Sequence, residues 1–137
     1  MPKNNCRIAQ MVALTTIAVL LAGCTKKQAD QPKQAEAAIF KAQAMIPVTF
    51  TLQKEEGQTG RTSPISNNYR PQVRFPLAAS DITCKVDLPA ASPSLDPGQT
   101  ANASLTCDEE VRVERGKQEF TLFEGGKQVG KGAVQVS

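Results

Sequence analysis

The chain has 137 residues, a formal net charge of +3 and no histidine. This length corresponds to a single domain. Without histidine, the Ser-His and Cys-His nucleophile pairs are excluded. A metal site is equally disfavoured, because close cysteine pairs are missing too. The small excess of basic residues also argues against a nucleic-acid-binding surface, which needs clustered Lys and Arg.

The N-terminal segment has the pattern of a secretory signal. Lys3 and Arg7 form a short basic region, and the stretch 8–23 that follows is uncharged and almost uniformly apolar. Such a stretch is short for a membrane-spanning helix and typical of a cleaved signal. It ends in Leu-Ala-Gly followed by Cys24, which resembles the bacterial lipobox, where the cysteine is lipidated and becomes the first residue. The alternatives are an ordinary signal peptide with a chance cysteine and a retained membrane anchor.

We therefore predict a lipoprotein signal peptide over residues 1–23 and a lipid on Cys24. Removal of the signal takes away two basic residues and no acidic one, so the net charge falls from +3 to +1. Acyl chains anchor stably because each buried methylene contributes about 0.8 kcal/mol. Thr25 follows the cysteine where an aspartate would resemble an inner-membrane retention signal. The predicted location is the bacterial envelope, at the outer membrane facing the periplasm.

Residues 24–45 are predicted to form a flexible tether that carries the lipidated cysteine. The segment is rich in Lys, Gln and Ala, and such a composition buries little apolar surface. One or two marginal helical turns over residues 35–44 are the alternative.

From residue 46 onward, apolar residues alternate with polar ones, which indicates half-buried β-strands. Turn residues separate these runs, and no helical period competes with them. Several short strands in under a hundred residues predict a small all-β sandwich or barrel over residues 46–137. The alternating positions are Val48, Phe50 and Leu52; Val73, Phe75 and Leu77; Ile82, Cys84, Val86 and Leu88; Ala101, Ala103, Leu105 and Cys107; Phe120 and Leu122; and Val134 and Val136.

The cysteines predict a covalent link within this domain. Cys6 leaves with the signal and Cys24 carries the lipid, so Cys84 and Cys107 remain as a pair in an oxidising compartment. Both lie on the apolar sides of their predicted strands. If the strands are neighbours, a disulfide would stabilise the fold by roughly 3 kcal/mol. Two buried free thiols are the alternative.

The region from residue 48 to the end resembles the C-terminal, third domain of elongation factor Tu. The most specific elements are the Tyr-Arg-Pro-Gln sequence at 69–72 and the EGGKQVGKGAV segment at 124–134. The resemblance implies a six-stranded antiparallel β-barrel, in agreement with the strand count. The resemblance does not extend to the GTPase domain of the elongation factor, since no P-loop and no guanine-specifying motif is found in the sequence.

The glycine-rich segment 125–132 itself only superficially resembles a phosphate-binding loop. A P-loop needs Ser or Thr after its lysine and then a helix, whereas Lys131 is followed by Gly132 and a strand pattern. We therefore predict a tight hairpin turn at Gly125 and Gly126. Gly130 and Gly132 are expected in the last strand, at a bulge or a close backbone contact. Neither a nucleotide nor any cofactor beyond the covalent lipid is expected.

In the resembled family this domain contacts the T-stem of aminoacyl-tRNA and the exchange factor Ts, and Gly125 matches a tRNA-facing turn. Phe123 stands where the family usually has arginine. Because Phe120 and Leu122 should point inward, Phe123 should point outward. Phe123, Gly125 and Gly126 are therefore the candidate partner-binding residues. A lone surface aromatic residue, or one that packs against the tether, is the alternative.

Two functions follow from these observations. The first is a non-enzymatic envelope lipoprotein whose barrel binds another envelope protein or serves a structural role. The second is a translation-associated or RNA-linked role retained from the elongation factor, without GTPase activity. Export and the near-neutral charge favour the first, so nucleic acid is not the expected partner.

Overall fold

The structure, a computed structural model, describes residues 37–137. The predicted signal peptide, Cys24 and the first part of the predicted tether lie outside these residues. Within the described part, no helix is long and apolar enough to span a membrane. The ten strands are β1 (Ala37–Phe40), β2 (Met45–Leu52), β3 (Ile65–Ser66), β4 (Gln72–Arg74), β5 (Ile82–Asp87), β6 (Ser94–Leu95), β7 (Thr100–Cys107), β8 (Val111–Glu114), β9 (Glu119–Glu124) and β10 (Lys127–Val134).

Six of the strands close into a barrel in the order β10, β2, β7, β5, β4 and β9. All neighbouring pairs in the ring are antiparallel. The predicted six-stranded antiparallel barrel is therefore confirmed. Closure gives every barrel strand two partners and leaves the ring no free edge. Two further sheets of two strands each, β1 with β8 and β3 with β6, lie outside the ring.

Most of the alternating apolar residues fill the barrel, because successive side chains of a strand point to opposite faces. Leu77 does not, because it lies in a turn after β4 and is only partly buried. In β2, Val48, Phe50 and Leu52 are buried while the intervening residues reach the surface. The rings of Phe75 and Phe120 contact at a centroid distance of 5.8 Å. The buried core of the described part contains no polar or charged side chain. Burial of apolar surface is thus the main stabilising contribution to this fold.

The tether prediction for residues 24–45 is wrong in its last part. Residues 37–40 form β1, which pairs antiparallel with β8 from Ala37 opposite Glu114 to Phe40 opposite Val111. The alternative of helical turns over residues 35–44 is also wrong where the structure describes them. The folded domain begins at or before Ala37 rather than at residue 46.

The physical reason for β1 lies in β8. Val111 and Val113 of β8 are buried, and β1 supplies the backbone partner for that strand. Phe40 also packs against the core. Alanine is depleted in strands, so this pairing and packing decide the structure rather than the intrinsic preference of the alanine-rich segment.

Candidate functional site

The two cysteines of the domain face each other on neighbouring barrel strands. Cys84 in β5 is directly opposite Cys107 in β7, and the two sulfur atoms are bonded at 2.06 Å. Both residues are buried. The backbone N–H of Cys84 donates to Pro71 on the other side of β5 rather than to Cys107, so the cysteines occupy a non-hydrogen-bonded pair, where side chains approach most closely. The predicted disulfide is confirmed, and the free-thiol alternative is wrong.

A two-glycine turn joins β9 to β10. Gly125 and Gly126 have φ values of 57° and 82°, the positive pair that a type I′ hairpin turn requires. A Cβ atom at either position would meet nothing within 4 Å. Glycine is therefore required here by the backbone conformation and not by a lack of space for a side chain. The predicted hairpin turn is confirmed.

The other two glycines of the segment act differently. The β9–β10 register shifts between Gln128 and Gly130, which marks the expected bulge. A Cβ on Gly132 would lie 2.4 Å from the carbonyl oxygen of Thr49 and 2.8 Å from the Phe120 ring. Gly132 thus permits a close approach of β10 to its neighbours. Turn and strand make up the whole segment, so it lacks the loop-to-helix geometry of a P-loop.

Phe123 points outward from β9, as predicted, between Gln72 of β4 and Gln128 of β10. Phe123 is partly buried, and the guanidinium carbon of Arg74 lies 4.3 Å from its ring centroid. Such a cation–π contact contributes about 0.5–1 kcal/mol at an exposed site. The aromatic ring is therefore presented together with a positive charge rather than alone.

Arg74 is itself held in place by a carboxylate. Its Nε donates to Oδ1 of Asp81 at 2.7 Å, and its Nη2 donates to Oδ2 at 2.9 Å. These hydrogen bonds lower the pKa of Asp81, and partial loss of solvent opposes them. The two parallel hydrogen bonds fix the plane of the guanidinium, so the Arg74–Phe123 surface is preorganised.

A second cluster of polar side chains, which the sequence did not predict, lies at the end of the same hairpin. Oε2 of Glu124 accepts hydrogen bonds from the Tyr69 hydroxyl, at 2.7 Å, and from the Arg61 guanidinium. The Arg61 guanidinium carbon also lies 5.0 Å from the Tyr69 ring centroid. Burial and the Glu124 carboxylate raise the pKa of Tyr69 to about 12, while Arg61 acts in the opposite direction.

Two arginines that precede β4 are paired with carboxylates. Arg61 pairs with Glu124. Arg70 donates from Nη2 to both carboxylate oxygens of Asp108, at 3.1 and 3.0 Å. Phosphate binding requires cationic groups that can replace counterions, and these two are already engaged.

A shallow groove of about 630 Å³ runs across the outer face of the barrel, over the two hairpin strands β9 and β10 and the neighbouring β2. Lys131, Glu119 and Thr121 contribute polar groups to its lining. Among residues 37–137, no three His, Cys, Asp or Glu side chains come together in a way that could hold a metal ion.

The predicted partner-binding residues thus lie together on one hairpin, whereas Cys24 lies outside the described part of the chain. A sequence model of the family described as the elongation factor Tu C-terminal domain matches residues 33–136. This match includes β1, in agreement with the early start of the fold. The six-stranded antiparallel barrel and the family match lead to one conclusion: the chain belongs to the elongation factor Tu C-terminal domain family.

Proposed function

We propose that this chain is a non-enzymatic lipoprotein of the bacterial envelope, anchored through a lipid on Cys24, whose barrel is a protein-binding or structural module. The observation that carries the proposal is the buried disulfide between Cys84 and Cys107. Disulfides persist in oxidising compartments and are rare in the cytosol. The signal pattern of residues 1–23 supports the same export route.

The proposed location is the outer membrane, with the barrel facing the periplasm. Thr25, rather than aspartate, follows the lipidated cysteine. A periplasmic location also suits the disulfide, because the periplasm is kept oxidising.

The proposed docking surface is the β9–β10 hairpin. Phe123 and Arg74 form a stacked pair that Asp81 holds in place, and the Gly125–Gly126 turn beside them is exposed. Aromatic residues and arginine are enriched at the energetic centres of protein interfaces. A preorganised pair also loses less side-chain entropy on binding. The proposed partner is another envelope protein.

The proposal includes no enzymatic activity, cofactor or metal. The sequence has no histidine, and among residues 37–137 the titratable groups with shifted pKa values are Tyr69, Arg74 and Asp81. Hydrogen bonds in ion-pair clusters occupy all three, so none is poised near neutral pH as a general base would be.

Metabolic labelling with palmitate followed by membrane fractionation tests the lipoprotein assignment. We expect label on the wild-type chain and recovery with outer-membrane fractions. A Cys24→Ser variant serves as the control and should carry no label. An unlabelled, soluble wild-type product would refute the proposal.

Crosslinking in the native envelope, followed by mass spectrometry, tests the docking surface. Phe123→Asp should lose the crosslinked partner, since it removes the ring and places a carboxylate against Arg74. Thr106→Asp is the matched control, because Thr106 lies on the outward side of β7, across the ring from β9, and the variant should keep the partner. Retention of every partner by Phe123→Asp would show that the hairpin is not the docking surface.

The alternative is a translation-associated or RNA-linked role. Membership of the elongation factor family favours it, since Gly125 matches a tRNA-facing turn of that family. The pairing of Arg61 with Glu124 and of Arg70 with Asp108 weighs against it. Equilibrium binding of the purified chain to tRNA across a salt series separates the two functions. We expect no measurable binding at physiological salt, and salt-dependent binding would favour the alternative.

A further inference from the structure

Two large apolar side chains stand exposed at one end of the described domain. Ile39 is 53% exposed and Met45 is 71% exposed. They flank the turn of residues 41–44 that joins β1 to β2, where Ala42 is also exposed. We call Ile39, Ala42 and Met45 the turn patch.

The backbone holds the turn patch in a defined shape. The Ala44 N–H donates to the Lys41 carbonyl oxygen at 3.0 Å, and the Gln43 N–H donates to the carbonyl oxygen of Cys107 at 2.8 Å. Gln43 adopts the left-handed conformation, with φ of 66°. The turn is therefore attached directly to the strand that carries the disulfide, and its apolar side chains are presented on a fixed support.

We infer that the turn patch rests on the lipid surface to which the chain is anchored. This inference depends on the proposed function, because that function places a lipid on Cys24. It adds an orientation to the proposal: the β1–β2 end of the domain faces the bilayer, and the rest of the barrel extends away from it.

The place where the chain enters the described domain supports this orientation. Thirteen residues run from Cys24 to Glu36, and a chain of that length spans at most about 45 Å, whatever its conformation. It enters the described domain at Ala37, two residues before Ile39. A lipid on Cys24 therefore keeps the turn patch near the membrane and gives it a high effective concentration there.

The charged side chains around the turn indicate which lipid headgroups this end of the domain contacts. Glu110 accepts from the Lys41 ammonium at 2.7 Å, and Asp108 pairs with Arg70 at 3.0 Å. Glu109 lies between the two acidic residues and is exposed. This end of the domain therefore carries no cationic excess that would attract anionic lipids. The surface suits zwitterionic phospholipid headgroups, and contact should depend little on salt.

Two exposed side chains bury too little apolar surface to hold an unanchored domain on a membrane. The patch acts only once the anchor has brought it there. This predicts that the barrel without its lipid does not bind zwitterionic vesicles, whereas the anchored barrel adopts a preferred orientation.

The experiment uses residues 24–137 coupled through the Cys24 thiol to a maleimide phospholipid in phosphatidylcholine vesicles. Chemical coupling makes the test independent of lipidation in cells. Because the sequence has no tryptophan, Met45→Trp provides a single fluorophore whose quenching by brominated lipids reports its depth. Gln58→Trp is the control, since Gln58 is exposed on the turn just beyond the other end of β2, an eight-residue strand about 26 Å long.

We expect brominated lipid to quench the Met45→Trp signal, as for a side chain at the headgroup boundary, and to leave Gln58→Trp almost unchanged. Adding Ile39→Ser to Met45→Trp should reduce the quenching. Equal quenching at the two tryptophan positions, or none at either, would overturn the inference.

An introduced tryptophan has its own affinity for the membrane interface. Hydrogen exchange on the unsubstituted sequence is therefore a control that needs no tryptophan. Coupling to vesicles should slow exchange of the amides of residues 41–45 relative to those of the turn at residues 57–58. Unchanged exchange at residues 41–45 would overturn the inference even if palmitate labelling shows Cys24 to be lipidated. If labelling fails but coupled vesicles protect the turn, the proposed function fails and the patch retains its lipid affinity.

Discussion

The closed barrel and the two-stranded β1–β8 sheet are stabilised in different ways. Every strand of the barrel has two neighbours. The barrel as a whole has a filled apolar interior and a disulfide across one strand pair. In the β1–β8 sheet each strand has a single partner, and four residue pairs make up the ladder. The barrel can therefore be expected to unfold as one unit, whereas β1 depends on docking against it.

The largest expected effect comes from adding a side chain at Gly132, where the neighbouring strands leave no space for one. Gly132→Val would place its Cβ 2.4 Å from the Thr49 carbonyl oxygen and 2.5 Å from the Cβ of Phe50. Overpacking against backbone should lower the free energy of unfolding by about 3 kcal/mol or more. Urea denaturation measures the change.

Gly116→Ala is the control for that substitution. Gly116 has φ of 84° and open space around its missing side chain, so only backbone conformation opposes the alanine. We expect a loss of about 1 kcal/mol. Similar losses for the two variants would show that close packing at Gly132 is not what holds β10 against its neighbours.

Removal of the disulfide tests how much of the barrel's stability is covalent. The bond joins residues separated by 23 positions, and the loop-entropy model gives about 3 kcal/mol for such a closure. Cys84→Ala with Cys107→Ala, and the wild-type chain under reductant, should both shift the urea midpoint downward. A double variant as stable as the wild type would mean that the bond contributes nothing to the barrel.

Substitutions in β1 should have smaller effects and should sharpen the contrast with the barrel. Phe40 is partly buried and packs against the core, so Phe40→Ala is expected to cost about 2 kcal/mol, below the range for a fully buried phenylalanine. Ile39 points outward on the same strand, and Ile39→Ala should stay within about 0.5 kcal/mol. If Phe40→Ala were as neutral as Ile39→Ala, β1 would not be docked on the core.

The effect that is smallest at neutral pH concerns Tyr69, which lies outside the barrel strands and whose titration changes stability only at high pH. Its pKa is raised to about 12 from about 10 in an unfolded chain. The folded state thus favours the protonated hydroxyl, and the associated stability is complete below about pH 10 and is lost as the pH rises toward 12.

Tyrosinate absorbance gives a direct reading of this pKa, because Tyr69 is the single tyrosine and the sequence has no tryptophan. The folded chain should titrate with a midpoint near pH 12. Glu124→Gln should lower the midpoint only in part, since burial is the first cause of the shift. A midpoint near pH 10 in a chain that remains folded would contradict the cluster.

The barrel could be predicted from sequence because its strands alternate regularly. Cys84 and Cys107 fell on the inward faces, and the structure buries and bonds both. β1 was not predicted, because its alanine-rich sequence has little preference for a strand. β8 was not predicted either, since its alternation spans four residues only. Both strands exist through a long-range pairing that no local pattern encodes.

The candidate site was predictable only in its backbone. The positive φ values at Gly125 and Gly126 follow from glycine chemistry at a hairpin turn. The stacking of Arg74 on Phe123 depends on which strands are neighbours. The same holds for the contact of Tyr69 with Glu124, 55 positions apart. Such contacts become visible once the ring of strands is closed.

The envelope assignment is tested most directly by mass spectrometry of the N-terminal peptide of the chain purified from membranes. The proposed function predicts a peptide that starts at Cys24 and carries covalently attached acyl chains. A peptide that starts at Met1, or a Cys24 with a free thiol, would contradict it.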